Sequence, residues 1–291
     1  MTSAVLGKDQ SGIYDIKKYV FEPTIPFVEW NNENDLSDGG IYCQKNDIPK
    51  IVIFTGNHGS EKPSIMAMYN LLYNILEKWE TDPILEYLRF NVRFVIVPIL
   101  NPWGFTNMTR WNSRHVDINR NFDTVLWENG NASSTSVDYR GEAKASEAET
   151  KLAQAVIKEN TDAIAMFDFH TYGQTDKGYS KMTKFEVDVT EDSPICKKNM
   201  IKLGVMITSL ITRSGWKNHN LSKSSGYIGE VGGAISKSST LGCYGNYCGV
   251  NTATPEAMYK YYDGIAFGST DEELTDDACK MNVEYLANTF Y

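Results

Sequence analysis

Long apolar runs are missing from this chain: no segment approaches the ~20 residues needed to cross a bilayer, so no membrane-spanning helix is expected. The opening residues Met1–Gly7 also lack the basic region and apolar stretch of a signal peptide. The compartment stays open, with the cytoplasm or a place on a larger particle expected rather than export by a leader. Positive charge is in short supply, with 28 Lys and Arg against 37 Asp and Glu and a net charge of −9. No basic stripe is available to neutralise phosphates, so neither nucleic acid nor an anionic membrane is expected as a partner. Cysteine is scarce: five residues, an odd number, with no Cys-x-x-Cys pair. Free thiols in a reducing compartment are the plain reading, and one loop disulfide between Cys243 and Cys248 is the alternative. What remains is ordinary for a globular protein, 291 residues that are 42% hydrophobic and 22% charged. That length can bury a large core, and no repeat or clear linker divides it. Residues 1–291 are expected to form a single domain, with residues 1–48 as strands and turns packing on its sheet.

Three apolar runs set the architecture. Ile51 to Thr55, Val92 to Leu100 and Ala163 to Phe169 read as strands buried on both faces. Gly12–Ile16 and Tyr19–Phe21 have strand-like composition, and Val250 to Thr254 reads as a short strand. Between them lie helical patterns. Ile65, Met68, Tyr69, Leu72, Leu76 and Trp79 recur at three- and four-residue steps from Pro63 to the Asp82-Pro83 stop. Ser146 with Glu149 has the form of a helix-starting box, followed by Leu152, Val156 and Ile157. Residues 197 to 213 and 273 to 290 also read as helices, and Ser214 to Cys248 as a long loop forming a site wall or lid. Asn101-Pro102-Trp103-Gly104 reads as a turn. Alternating strands and helices predict an α/β fold, a twisted, mostly parallel sheet covered on both faces.

In such a sheet ligands bind beyond the C-terminal ends of the strands. Gly56-Asn57-His58-Gly59-Ser60-Glu61 follows the first core strand, Asn101 to Arg120 the second, His170 the third and Glu256 the last. Four candidate segments thus fall on one edge. Two imidazoles and a carboxylate make a zinc shell that leaves a fourth position open. A His-x-x-Glu pair alone is a weak signal; its company is what raises it. Asp168, two residues before His170, is left open between a supporting acid and an ordinary buried one, and His115 and His219 have no evident partner.

These pieces resemble, in order, the zinc carboxypeptidases of the carboxypeptidase A/B type. The resemblance runs over about residues 48 to 175, with a weaker part near Glu256. It is carried by His58-x-x-Glu61, Asn101-Pro102-Trp103-Gly104-Phe105, Arg110-x-Asn112 and Asp117-Ile118-Asn119-Arg120-Asn121-Phe122. Tyr139-Arg140-Gly141, Ser146-Glu147-x-Glu149-Thr150 and Phe169-His170-Thr171-Tyr172 complete it. Residues 7 to 21 more softly resemble carboxypeptidase-like hydrolases of phage tails and Firmicutes. The resemblance implies a zinc carboxypeptidase-like fold and a zinc metallopeptidase with one Zn2+ held by His58, Glu61 and His170. It further implies Glu256 as general base, Arg110 as oxyanion stabiliser and Asn119 with Arg120 as the clamp on a substrate carboxylate. Asp117 is the implied acceptor orienting a ligand histidine. Tyr227 is chosen as the substrate-capping tyrosine, with Tyr244 and Tyr247 as rivals, and Ile235 as a lining residue of an uncharged side-chain pocket. The expected partner is a peptide with a free carboxylate, cell-wall stem peptides included. Trp103 departs from the family's usual Asp. Two alternatives stay open: an N-acyl amino acid deacylase of the related desuccinylase type, and a non-catalytic binding module on the same fold.

Overall fold

The structure is a computed structural model, and the residues it describes are 1–23, 48–172, 184–186 and 238–258. Outside the described residues lie Tyr227, Ile235, His219, the helices expected at 197 to 213 and 273 to 290, and Cys43, Cys196 and Cys279. The described strands are β1 (Thr2–Lys8), β2 (Asp15–Phe21), β3 (Lys50–Thr55), β4 (Arg93–Val97), β5 (Ala165–Tyr172), β6 (Lys184–Glu186) and β7 (Thr252–Met258). They form one sheet in the order β1-β2-β4-β3-β5-β7-β6. The four strands β4, β3, β5 and β7 are mutually parallel, and antiparallel pairs close both edges. The N-terminal hairpin joins the sheet at its edge, with β2 hydrogen-bonded along β4.

Helices α1 (Lys62–Glu77), α2 (Pro83–Asn91), α3 (Pro102–Asn107), α4 (Ala148–Glu159) and α5 (Leu241–Tyr247) connect and cover these strands. Side chains alternate across a strand, so β3 feeds two cores. Ile51 and Ile53 pack with Ala67, Met68, Leu71 and Ile75 of α1. Val52 and Phe54 pack on the other face with Ala153, Val156 and Ile157 of α4. Each such Ile, Val, Leu, Met or Phe side chain, withdrawn fully from water, contributes roughly 1.5–3 kcal/mol.

Several local expectations are corrected. On α1 the inward stripe is Ile65, Met68, Leu71 and Ile75, and Tyr69 stands 43% exposed. Between the Asp82-Pro83 stop and β4, where no element was expected, Asp82 caps a second helix by accepting from the Ile84 N–H, with Pro83 in the first turn. Asn101 likewise caps a helix, α3, where a turn was expected; its side chain accepts from the Gly104 N–H at 2.8 Å. The Ser146 box does not form. The N-cap of α4 is Glu147, without a side-chain cap bond, while the Ser146 hydroxyl donates to Glu147 Oε1 at 2.6 Å. Glu149 is drawn away to distant donors, the Gln10 N–H and Asn112 Nδ2. The described end of the expected long loop, too, is helical, as α5, whose Thr240 side chain accepts from the Cys243 N–H. Cys243 and Cys248 are both free thiols.

Candidate metal centre

β3 and β4 run parallel with matched ends, and the turns leaving them are stitched together: Leu100 and Asn101 donate their N–H groups to the carbonyls of Thr55 and Gly56. Gly56 adopts φ +65°, a left-handed conformation that favours glycine, and a Cβ there would meet the Ile99 backbone at 3.1 Å. Gly59 is more constrained still. A Cβ on it would lie 2.0 Å from the Gly104 carbonyl carbon, so only hydrogen permits α3 to rest against the His58 loop.

This packing aims three side chains at one point. His58 Nδ1 is 2.8 Å from Glu61 Oε1, and His170 Nδ1 is 2.9 Å from Glu61 Oε2. The two Nδ1 atoms are 3.2 Å apart. His58 comes from the loop after β3, Glu61 from the N-cap of α1 and His170 from β5, which lies beside β3. Both rings are buried, 4% and 2% exposed. Glu61 is held at its other end as well, since Oε2 also accepts from the Thr171 N–H, and Thr171 Oγ1 accepts from the Ser64 N–H in the first turn of α1.

The outward ring nitrogens each face a buried carboxylate. His58 Nε2 is 3.1 Å from Asp117 Oδ1, and His170 Nε2 is 2.8 Å from Asp168 Oδ2. A carboxylate accepts only, so each pairing puts the ring hydrogen on Nε2 and leaves the Nδ1 lone pair facing inward. Two such lone pairs and a carboxylate at these distances repel one another unless a proton or a metal cation lies between them. The ligand atoms of His58, Glu61 and His170 all fall within 4.8 Å of one another, a donor set that suits a divalent ion such as zinc.

Electrostatics agree with this arrangement. Burial by itself would raise the Glu61 carboxyl, but the adjacent His58 and His170 outweigh it and hold it well below the usual carboxylate range. Burial also opposes ionisation of Asp117, where Arg110, then His58 and Arg120, hold the carboxyl well below its ordinary value. At His170 burial favours the neutral ring, yet Asp168 and Glu61 push its pKa well above the ordinary value.

The remaining expected residues divide. Arg110 donates from Nε and Nη2 to Asp117 Oδ2 at 2.9 and 2.7 Å, which turns Nη1 to within 3.1 Å of His58 Nδ1. Asn119 is buried, with Nδ2 3.5 Å from His170 Nε2, and its Oδ1 accepts from the Leu241 N–H at the start of α5. Arg120, half-buried beside it, donates to the Asn119 carbonyl. Glu256 lies on β7 with its backbone in register with His170. His115 lies apart: exposed, at φ 61°, it stacks on Trp111 at 3.9 Å. The sequence left Asp168 undecided and did not single out Asn57, whose Nδ2 donates to Asp168 Oδ2 at 3.2 Å. The period-two spacing of Asp168 and His170 was the one local signal for the former.

Comparison with known proteins places this geometry. The family model described as "Zinc carboxypeptidase" matches residues 29–221. That span contains His58, Glu61, Arg110, Asp117, Asn119, Arg120 and His170 and ends before Tyr227 and Glu256. Mast cell carboxypeptidase A of Rattus norvegicus is 26% identical over 178 residues, covering 54% of this chain and 40% of the rat protein. Carboxypeptidase SOL1 of Arabidopsis thaliana is 36% identical over 70 residues, covering 24% of this chain and 14% of that protein. This chain therefore spans less than half the length of these curated relatives. Among solved structures, carboxypeptidase A from Helicoverpa armigera superposes with a TM-score of 0.71 at 18% identity, covering 99% of this chain and 67% of that one. A metallo-carboxypeptidase from Burkholderia cenocepacia gives 0.59 at 17% identity, covering 100% and 65%. With more than half of its residues inside the family match and its fold shared with these structures, the chain belongs to the zinc carboxypeptidase family.

Proposed function

We propose that this chain, acting as one domain, is a zinc-dependent peptidase that hydrolyses a peptide bond near a free substrate carboxylate. The observation that carries the proposal is the meeting of His58, Glu61 and His170, brought together from three elements with their ligand atoms within 4.8 Å. Through these atoms they would hold one zinc ion. Bound there, zinc supplies Lewis acidity, polarising a carbonyl and acidifying water towards a pKa of ~7.

The chain's own groups supply the rest. Glu256 takes the water proton and delivers it to the leaving amine, a role that needs a carboxylate beside the metal. Its register with His170 supports that placement. Arg110, tied to Asp117 by two of its nitrogens, is held ready to meet charge developing on the carbonyl oxygen. Asp117 keeps the His58 ring in the orientation that presents Nδ1. Asn119 and Arg120 grip the substrate carboxylate, a task suited to the planar guanidinium. Tyr227 caps the bound substrate.

A panel of peptides, N-acyl amino acids and cell-wall stem peptides, read by mass spectrometry, tests the proposal. Loss of a carboxyl-terminal residue, abolished by chelation and restored by zinc, is the expected result. Turnover of acyl-amino acids alone would move the assignment to a deacylase. Binding without hydrolysis would leave a non-catalytic module.

A further inference from the structure

We infer that Asp168, braced by Asn57, is a positioning residue that fixes the His170 ring and sets how tightly the His58–Glu61–His170 cluster holds zinc. This rests on the metal reading above and adds to it a residue outside the ligand set. Residues i and i+2 of a strand share a face, so β5 itself carries Asp168 to the side of His170. Asp168 is fully buried and its Oδ2 lies 2.8 Å from His170 Nε2. Asn57, also fully buried, donates its Nδ2 to the same oxygen across from the loop after β3. One loop therefore supplies both the metal-facing His58 and the brace for the acid behind His170.

The alternatives at that ring nitrogen are few. Asn119 Nδ2, at 3.5 Å, can only donate and cannot accept from an Nε2–H. Asp168 is the acceptor in place, and it selects the tautomer whose Nδ1 is open to a cation. It differs from Asp117 in its charge environment. Asp117 Oδ2 carries two guanidinium nitrogens of Arg110, whereas the donors on Asp168 among the described residues are a neutral amide and the ring itself. Asp168 Oδ1 is buried with no hydrogen-bond partner among the described residues, a cost to the metal-free fold that Asp168→Leu removes. Removing the carboxylate should weaken zinc binding without weakening the empty protein, a pair of effects that a purely structural role would not produce.

The test is zinc affinity by competition with a chromogenic chelator, alongside the thermal midpoint of the metal-free protein, for the wild type, Asp168→Asn and Asp168→Leu. The expected result is a loss of about 10- to 100-fold for Asp168→Leu, the usual range for partners of ligand histidines. Asp168→Asn, whose amide oxygen still accepts, should fall between that variant and the wild type. The metal-free midpoint of Asp168→Leu should be no lower than wild type. Zinc binding within twofold of wild type in Asp168→Leu overturns the inference, as does a loss matched by a lower metal-free midpoint. Should Asp168→Leu not fold, Asn57→Ser is read by the same titration. A several-fold loss there supports the inference, and an unchanged constant overturns it. A wild-type protein that binds no zinc sinks the metal reading as well; tight binding by wild type and variant alike sinks only the role of Asp168.

Discussion

Glu256 and His170 are backbone partners on neighbouring parallel strands, β7 and β5. On its other side Glu256 pairs in register with Lys184 of β6. Its backbone is thus fixed from both directions, in the strand next to the one that carries a candidate ligand. The proposed proton transfer depends on this residue.

Replacing it isolates that role. Glu256→Gln should keep its zinc and its fold while kcat falls by about 10^2–10^4, the usual contribution of a positioned acid–base group. Metal analysis and peptide kinetics on one preparation check it. Full activity in the Gln variant would end the assignment.

Arg110 makes a forked contact with Asp117 that an ammonium cannot reproduce. Arg110→Lys should lower kcat by about 10^2–10^3 with a smaller effect on KM, because in the proposed mechanism the guanidinium acts on charge that develops during reaction. Steady-state kinetics separate the two parameters; a change confined to KM would assign Arg110 to substrate binding.

Gly59 admits no side chain, since a Cβ would overlap the Gly104–Phe105 backbone at 2.0–2.1 Å. Gly59→Ala should push α3 and the His58 loop apart and cost about 1–3 kcal/mol of stability, with zinc affinity falling too. Urea unfolding and chelator competition measure both, and a variant equal to wild type in each would contradict the close approach.

Glu149 gives the fold a pH dependence. Burial raises its pKa from 4.5 to about 6, despite hydrogen bonds from Gln10 and Asn112 that pull the other way. The folded protein holds this proton more tightly than the unfolded chain, so stability falls as pH rises from 4.5 to about 6. Above that range the cost from this group levels off at about 2 kcal/mol. Urea midpoints across the window should show the fall in wild type and its absence in Glu149→Gln.

Zinc itself should stabilise the protein. At free zinc 100-fold above the dissociation constant, linkage adds about 2.7 kcal/mol, seen as a higher thermal midpoint that chelation reverses. The effect should shrink as pH falls, because protons compete for the ring nitrogens and the pKa of His170 is already raised. A midpoint indifferent to zinc would leave the cluster without its metal.

Much of the architecture was legible from local pattern. Ile51-Val52-Ile53-Phe54 announced a strand buried on both faces, and its residues alternate between the two cores. The errors cluster where long-range hydrogen bonds compete with local ones. The Ser146 box was plausible as a cap, but Gln10 and Asn112 claim the Glu149 carboxylate. Tyr69 fitted the α1 period, yet the orientation of the helix on the sheet leaves it exposed. The helix after Asp82 was hidden because its capping pair, Asp82-Pro83, reads equally as a stop.

By itself the sequence determined that imidazoles and carboxylates lie in or just after successive strands, because strand period and turn composition are properties of neighbouring residues. Which nitrogen of each ring faces inward, that Asp117 and Asp168 stand behind the two rings, and that Gly59 must have no side chain were decided only by tertiary structure. Those features arise between groups separated by up to 112 positions along the chain, except that Asp168 needed only its own strand to reach His170. Such contacts exist only once β3 and β5 lie side by side, and no local rule of spacing encodes them.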